Sequence, residues 1–128
     1  VYNTWVAHGK NSGGEYACNF SNRVKSNKTS LGFYITNETY YGKNDFSLKL
    51  DGQERGFNNH ARKRGIVVHG ANYVNRDFIN RHNRLGRSFG CPVFANYLSR
   101  QIIETIKNGS TLKLVMGKTP NKDWGSNP

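Results

Sequence analysis

An unbroken run of three β-branched apolar residues lies within the segment Gly65-Ile66-Val67-Val68-His69-Gly70. A continuous β-branched run bounded by glycines predicts that Ile66 to Val68 form a strand buried on both faces. His69 is then expected at the carboxyl end of this strand. The segment from Gly70 to Gly90 is predicted to be a long loop, and loops of this length in compact domains usually carry function.

One amphipathic helix is predicted after this loop, from Pro92 to Lys107. Its apolar residues recur at helical spacing, at Phe94, Tyr97, Leu98, Ile102 and Ile106. Pro92 suits the first helical position, and Asn108-Gly109 is typical of a helix end. Cys91 is therefore expected at the N-cap position of this helix.

Short segments separated by turn residues predict further strands and a mainly β domain. The predicted strands are Thr4 to His8, Leu31 to Thr36, Phe46 to Leu50 and Thr111 to Met116. Gly32 indicates a bulge or a close approach of another chain segment. The alternation from Phe46 to Leu50 predicts one core face and one solvent face, and Asp51-Gly52 predicts a turn after it.

A chain of 128 residues predicts one compact domain. We assign residues 1–117 to this domain and residues 118–128 to a C-terminal tail that Trp124 tethers. The longest apolar run is far too short to span a membrane, and no signal peptide opens the chain. The strand-like start at Val1 favours a mature fragment of a longer protein.

Positive charge is concentrated in one part of the chain. Nineteen Lys and Arg against eight Asp and Glu give a net charge of +11. The segment from Arg55 to Arg87 contains eight basic residues and one acid, so it supplies +7 of that total. Such a field attracts polyanions or ligands that carry carboxylates. A small nucleic-acid-binding module or a metal-free nuclease is therefore one hypothesis, although no nucleic-acid motif is present.

The two cysteines, Cys18 and Cys91, are too few for a disulfide framework. They can form one bridge, or one of them can be a functional thiol, and Cys18 is expected to pack as a small apolar residue. The four histidines lack the spacing of metal ligands on one element, so no metal and no cofactor is predicted.

Cys91 has the setting that a nucleophilic thiol needs. Amide dipoles at a helix start and a cation such as Arg87 both favour the thiolate, and Gly90 lets the backbone approach a developing oxyanion. His69 opens the loop that ends at Cys91, so it is the best candidate for the base. The alternative is an inert buried cysteine and a histidine that is satisfied within the core.

Two segments carry a family resemblance, His69-Gly70-Ala71-Asn72-Tyr73-Val74 and Gly86-Arg87-Ser88-Phe89-Gly90-Cys91-Pro92. Together they resemble the L,D-transpeptidase catalytic-domain family of bacterial cell-wall enzymes, in its HGAxYV…GRSxGCP branch. The resemblance extends from about Thr4 to Met116. It implies a mainly β fold, a β-sandwich or barrel with one amphipathic helix after the catalytic cysteine.

The resemblance implies specific roles. Cys91 matches the nucleophile and His69 the base, while the carbonyl of Gly70 orients the imidazole, so that a side chain there should matter little. Ser88, Gly90 and the Cys91 amide match the oxyanion site. Family members attack the L,D bond before the terminal D-residue of a peptidoglycan stem tetrapeptide. D-Ala leaves, a thioester forms, and an amine resolves it to a 3→3 cross-link, whereas water as acceptor gives an L,D-carboxypeptidase.

Substrate contacts are also expected. Stem peptides carry carboxylates, which Arg87 can bind bidentately. Tyr40 and Tyr41 are expected to cover the donor peptide, and Asn72 and Tyr73 are assigned to substrate binding as well. Two residues depart from the family patterns: Phe89 replaces the histidine of the better-known branch, and Asn59 replaces an expected acid.

The resemblance further implies the partners and the location of the protein. Donor and acceptor stem peptides are the expected partners, without nucleic acid, and the chain is expected to be a monomer in the periplasm or another extracytoplasmic space. A carbapenem is expected to acylate the cysteine. A non-catalytic wall-binding domain with the same fold is a third hypothesis.

Overall fold

The computed structural model describes residues 3–14 and 16–115. Its elements in chain order are β1 (Gly32–Gly42), β2 (Asp45–Gly52), β3 (Val67–Ala71), α1 (Arg76–His82), β4 (Val93–Ala95), α2 (Asn96–Ile106) and β5 (Thr111–Leu114). The five strands of this described part form one mixed sheet in the order β4-β3-β2-β1-β5. The predicted mainly β fold is confirmed.

Strand β3 forms at the predicted apolar run but spans Val67–Ala71, so the predicted start at Ile66 and the predicted place of His69 at the carboxyl end are wrong. Val68 is fully buried and Val67 nearly so, because β3 has a neighbouring strand on each side. It pairs antiparallel with β2 and parallel with β4, where His69 lies opposite Val93. The parallel pairing brings the chain around Cys91 next to the start of β3.

The first two strands form a longer hairpin than the sequence predicts. Strand β1 continues to Gly42 through an irregularity between Thr36 and Thr39. The predicted turn at Asp51-Gly52 is wrong, because both residues remain paired with β1 at the end of β2. Gly52 is needed there for another reason, since the backbone of Asn58 occupies the space that a side chain would fill.

The predicted strand from Thr4 to His8 is also wrong. Only two isolated bridges form in this region, Ala7 with Val93 and Gly9 with Ser88. The partner changes within two residues, so no continuous ladder can build up.

Gly32 confirms the predicted close approach. Its φ is 116°, and the side chains of Glu54 and Asn58 lie where a Cβ would be. Strand β5 agrees with the prediction over Thr111–Leu114. The end of that prediction at Met116, the tail at 118–128 and Trp124 lie outside the described residues.

The predicted start of the long helix is wrong by four residues. Residues 93–95 form β4, and α2 begins at Asn96 with Ala95 as its N-cap. Val93 exchanges two backbone hydrogen bonds with Ala7 on one side, while β3 lies on the other, and this pairing overrides the helical spacing. Cys91 therefore precedes a strand, and no helix start stabilises its thiolate.

A second helix lies in the segment predicted to be a loop. Helix α1 begins after Asn75, whose side chain accepts a hydrogen bond from the backbone nitrogen of Phe78, and it ends at Asn83 in the left-handed region with φ 57°. Ile79 is its one buried residue, so its apolar signal is weak. No helix in the described part of the chain is long and apolar enough to cross a lipid bilayer.

The two faces of the sheet have different surroundings. Side chains of α2, Asn96 and Ser99, approach Gly70 so closely that a Cβ there would meet them. Because successive strand residues point to opposite faces, His69 and Val67 project away from α2. Lys49 lies opposite Val67, and Tyr40 lies opposite Ser47. We call the face that carries Tyr40, Lys49, Val67 and His69 the site face.

Candidate active site

Cys91 is a buried free thiol held by two backbone groups. Its Sγ lies 3.4 Å from the backbone nitrogen of Val67, which donates to it, and 3.7 Å from the carbonyl oxygen of Gly65, to which the thiol donates. The residue is 8% exposed. Cys18 is likewise a free thiol but is exposed, so the prediction that it packs as an apolar residue is wrong.

Electrostatics at Cys91 are a balance between burial and neighbouring positive groups. Burial raises the pKa of the Cys91 thiol, because a thiolate loses its hydration there. The Val67 N–H and the positive charges of Arg64 and Lys43 oppose this rise, in that order. The thiol is therefore protonated at neutral pH, and attack on a substrate requires a base.

His69 can supply that base. Its Nδ1 lies 2.9 Å from the carbonyl oxygen of Gly70. A proton on Nδ1 is donated to this carbonyl, which leaves Nε2 free to accept another proton. Burial lowers the pKa of His69, although the bond to Gly70 opposes the shift, so the ring is neutral at pH 7.

The sheet register brings His69 and Cys91 to neighbouring positions. His69 lies opposite Val93, and Cys91 contacts Val67, which shares the site face with His69. No hydrogen bond within residues 3–14 and 16–115 joins the ring to the thiol, since the sulfur contacts Gly65 and Val67 instead. Hydrogen bonds of this kind often tighten only when substrate is bound.

The turn before Cys91 is fixed by Ser88. Its Oγ donates to the carbonyl oxygen of Cys91 at 2.7 Å and accepts from the nitrogen of Gly90 at 3.1 Å. Gly90 has a φ of 129°, and a Cβ there would lie 2.9 Å from the carbonyl oxygen of Lys28. Glycine is therefore required at this position, and the backbone of the nucleophile is held rigidly.

Gly70 is constrained by the side chains of α2 that pack against it. A Cβ at this position would lie 2.8 Å from Oδ1 of Asn96 and would meet the side chain of Ser99. The expectation that a side chain here matters little is wrong for packing, because the close contact with α2 leaves no room for one.

Arg87 lies away from the thiol contacts. Its guanidinium donates to the backbone carbonyls of Leu85, Gly86 and Gly14. It lines a cavity of about 140 Å³ together with His8 and other residues of the N-terminal segment.

A larger cavity of about 290 Å³ lies next to the two residues that hold the Cys91 sulfur, although Cys91 itself is not part of its wall. Gly65 and Val67, the two residues in contact with the Cys91 sulfur, are part of its wall, as are Tyr40 and Lys49. The Lys49 ammonium lies 5.2 Å from the centre of the Tyr40 ring.

Tyr40 and Tyr41 are separated by the sheet. Tyr41 packs on the α2 side, where its ring lies 5.2 Å from that of Phe46 and its hydroxyl accepts from Arg100. The structure therefore brings Tyr40 to the cavity beside Cys91 and places Tyr41 on the opposite face.

Asn72 and Tyr73 begin the segment that leads to α1. The carbonyl of Asn72 accepts from the side chain of Asn75 at 2.8 Å. The Tyr73 ring packs against Gly86 and lies 6.5 Å from that of Phe78. Burial, and secondarily the charge of Cys91, raise the pKa of Tyr73.

Sequence reasoning missed two cations and one backbone donor at this site. Arg64 and Lys43 both act on Cys91 electrostatically, and Val67 donates to its sulfur. Arg64 precedes Gly65 and the buried strand, but it is one of eight basic residues between Arg55 and Arg87. Composition alone cannot separate it from the other seven.

The fold and the site define a mainly β domain with a thiol just before β4 and a neutral imidazole on the neighbouring strand β3, an arrangement that suits nucleophilic catalysis. The family model for the L,D-transpeptidase catalytic domain matches residues 1–114. The chain belongs to this family, as its sequence motifs indicate. At the family level this membership supports acyl transfer on peptidoglycan. Comparisons with curated proteins and with solved structures found no match.

Proposed function

We propose that this protein is a cysteine-dependent L,D-transpeptidase of peptidoglycan. Cys91 attacks the L,D bond before the terminal D-Ala of a donor tetrapeptide stem, D-Ala leaves, and a thioester forms. An amine of a neighbouring stem then resolves the thioester to a 3→3 cross-link. The contact of the Cys91 sulfur with Val67, in the strand that carries His69, is the observation on which this proposal chiefly depends.

His69 moves the proton in both steps of thioester formation. The neutral ring accepts the thiol proton at Nε2 as the sulfur attacks, and it then donates that proton to the departing amine of D-Ala. The Gly70 carbonyl, 2.9 Å from Nδ1, stabilises the imidazolium that forms between the two steps. During attack the thiol proton must leave the carbonyl of Gly65 and turn towards the ring.

The turn from Ser88 to Cys91 supports the tetrahedral intermediate. The Cys91 N–H is the proposed donor to the oxyanion. Ser88 is a positioning residue, because its hydroxyl joins the Gly90 nitrogen to the Cys91 carbonyl and so fixes the direction of this amide.

The donor stem occupies the cavity that Tyr40 and Lys49 line. Lys49 is the best-placed cation for a stem carboxylate, because its side chain is 38% exposed and its loose ion pair with Glu38 is 3.9 Å long. The sequence favours Arg87 for this contact, but Arg87 lines the smaller cavity of about 140 Å³ and donates to backbone carbonyls.

The acceptor that resolves the thioester decides between the proposed transpeptidase activity and a carboxypeptidase activity. An amine gives cross-links, whereas water gives an L,D-carboxypeptidase. Since peptidoglycan lies outside the cytoplasm, we propose an extracytoplasmic location for the protein.

A purified disaccharide-tetrapeptide tests the proposed reaction. Wild-type protein should release D-Ala and yield a dimer one D-Ala lighter than two monomers, detected by mass spectrometry. A tripeptide monomer without dimer would indicate water as the acceptor. Cys91→Ala should give neither product, while Cys18→Ala, which removes the exposed thiol, should behave as wild type. Folded wild-type protein that gives neither product would refute the proposal.

A further inference from the structure

Arg64 is a half-buried cation with neutral partners. Its Nη1 donates to the Ser21 carbonyl at 2.9 Å and to the Ser30 hydroxyl at 2.6 Å. Its Nη2 donates to the Lys28 carbonyl at 2.6 Å and to the Ser26 hydroxyl at 3.2 Å. None of the ion pairs found among residues 3–14 and 16–115 includes Arg64. Its charge is therefore held in place without being neutralised.

This charge lies beside the nucleophile. A Cβ built on Gly90, the residue before Cys91, would be 3.0 Å from Nη2 of Arg64. Gly65, the residue after Arg64, supplies the carbonyl that lies 3.7 Å from the Cys91 sulfur. The Arg64 guanidinium thus lies close to the residue before Cys91, and the residue after Arg64 contacts the Cys91 sulfur.

We infer that Arg64 is a positioning residue that stabilises the Cys91 thiolate and fixes the backbone around it. The inference rests on the proposed function for its catalytic consequence, but not for its effect on the thiol. In this fold no helix begins at Cys91, so the amide dipoles that commonly stabilise such thiolates are missing there. The guanidinium charge of Arg64, in a partly desolvated site, stabilises the thiolate in place of these dipoles.

The pKa shifts of Cys91 and of Arg64 both agree with this role. The positive charge of Arg64 opposes the rise that burial causes in the pKa of Cys91. Conversely, burial lowers the pKa of Arg64, and the charges of Tyr34 and Cys91 oppose that fall. Opposite charges in a medium of low dielectric interact strongly, so a thiolate and this guanidinium stabilise each other.

Four other titratable groups surround Cys91. Lys43 is exposed in the β1–β2 turn and also favours the thiolate. Burial raises the pKa of Tyr34 to about 12 and also raises that of Tyr73, so both hydroxyls stay neutral through the range in which the thiol reacts. Burial lowers the pKa of His69, which favours its neutral ring. Arg64 is therefore the half-buried cation that acts on the thiolate.

The test follows the pH dependence of Cys91 alkylation by iodoacetamide in a Cys18→Ala background. Arg64→Gln should move the midpoint upward by about 1 pH unit, which slows alkylation several-fold below that midpoint. Arg62→Gln is the matched control, because Arg62 pairs with Asp51 at 2.6 Å and with Glu38 at 3.1 Å and is exposed. Its midpoint should equal that of the parent protein. Arg64→Lys retains the charge and should recover most of the shift.

An unchanged midpoint in folded Arg64→Gln would overturn the inference, as would an equal shift in Arg62→Gln. If Arg64→Gln does not fold, salt dependence decides in a Lys43→Gln variant with Arg64 intact. Because salt screens a half-buried pair much less than exposed charges, a midpoint that stays nearly constant between ~0.02 M and ~0.5 M salt supports the inference, and a midpoint that rises steeply over that range contradicts it. Alkylation does not require acyl transfer, so failure of the muropeptide assay and failure of this test are distinguishable.

Discussion

The Cys91 sulfur and the backbone nitrogen of Val67 lie 3.4 Å apart, so the nucleophile is anchored to the strand that carries His69. This contact depends on the parallel register of β3 and β4, in which His69 lies opposite Val93. The site is thus built from strand pairing rather than from a helix terminus. Substitutions that disturb β4 should therefore affect catalysis even when they lie outside the cavity.

Replacing His69 by Gln should remove the base and leave the fold intact. We expect turnover to fall by roughly 100- to 10,000-fold, the usual contribution of a general base. D-Ala release from tetrapeptide measures this loss, and the melting temperature provides the control. Turnover equal to wild type in a folded variant would eliminate His69 as the base.

Activity should depend on pH through the neutral form of His69. Burial places the pKa of this ring below its usual 6.5, so kcat/KM should be on its plateau at pH 7 and fall as the pH drops through that lower pKa. The same ring contributes stability that is present above the unfolded pKa and is lost on acidification, because the unfolded chain takes up the proton first. A kcat/KM profile with an acidic midpoint above 7 would contradict this assignment.

The two adjacent tyrosines offer a matched pair of substitutions. Tyr40→Ala should raise the KM for tetrapeptide severalfold, because Tyr40 lines the cavity beside the thiol. Tyr41→Ala should leave KM unchanged, since its side chain is 68% exposed on the opposite face. Steady-state kinetics of both variants test this difference, and equal effects on KM would show that the donor does not bind in this cavity.

Arg87→Met should affect stability more than donor binding. The guanidinium donates to the carbonyls of Leu85, Gly86 and Gly14, and loss of hydrogen bonds from a charged group costs about 1–3 kcal/mol of unfolding free energy. Urea denaturation measures that loss. A raised KM with unchanged stability would instead support carboxylate binding by Arg87.

Local sequence patterns predicted an element correctly where its own residues carry the signal. The β-branched run predicted β3, because burial on both faces leaves a continuous apolar signal, but β3 continues to Ala71, so that His69 lies in its middle and not at its end. The spacing from Phe94 to Ile106 misplaced the helix start, because Phe94 fits the helical phase although it lies in β4. Its strand partners, Ala7 and β3, are distant in sequence and leave no local signal.

In the candidate site too, the sequence predicts some residues and not others. Cys91 and His69 were found from their flanking residues, whereas the positions of the cations were not. Arg64 and Arg87 are the same type of residue with the same charge. Only the folded chain shows which of them lies beside the thiol. Strand alternation could have separated Tyr40 from Tyr41, because adjacent strand residues face opposite sides.

The central claim is that Cys91 is an activated nucleophile, and intact mass spectrometry after incubation with a carbapenem tests it most directly. The account predicts one stable adduct per chain in the wild type and in Cys18→Ala, and none in Cys91→Ala. An adduct that persists in folded Cys91→Ala, or no adduct in the folded wild type, would contradict it.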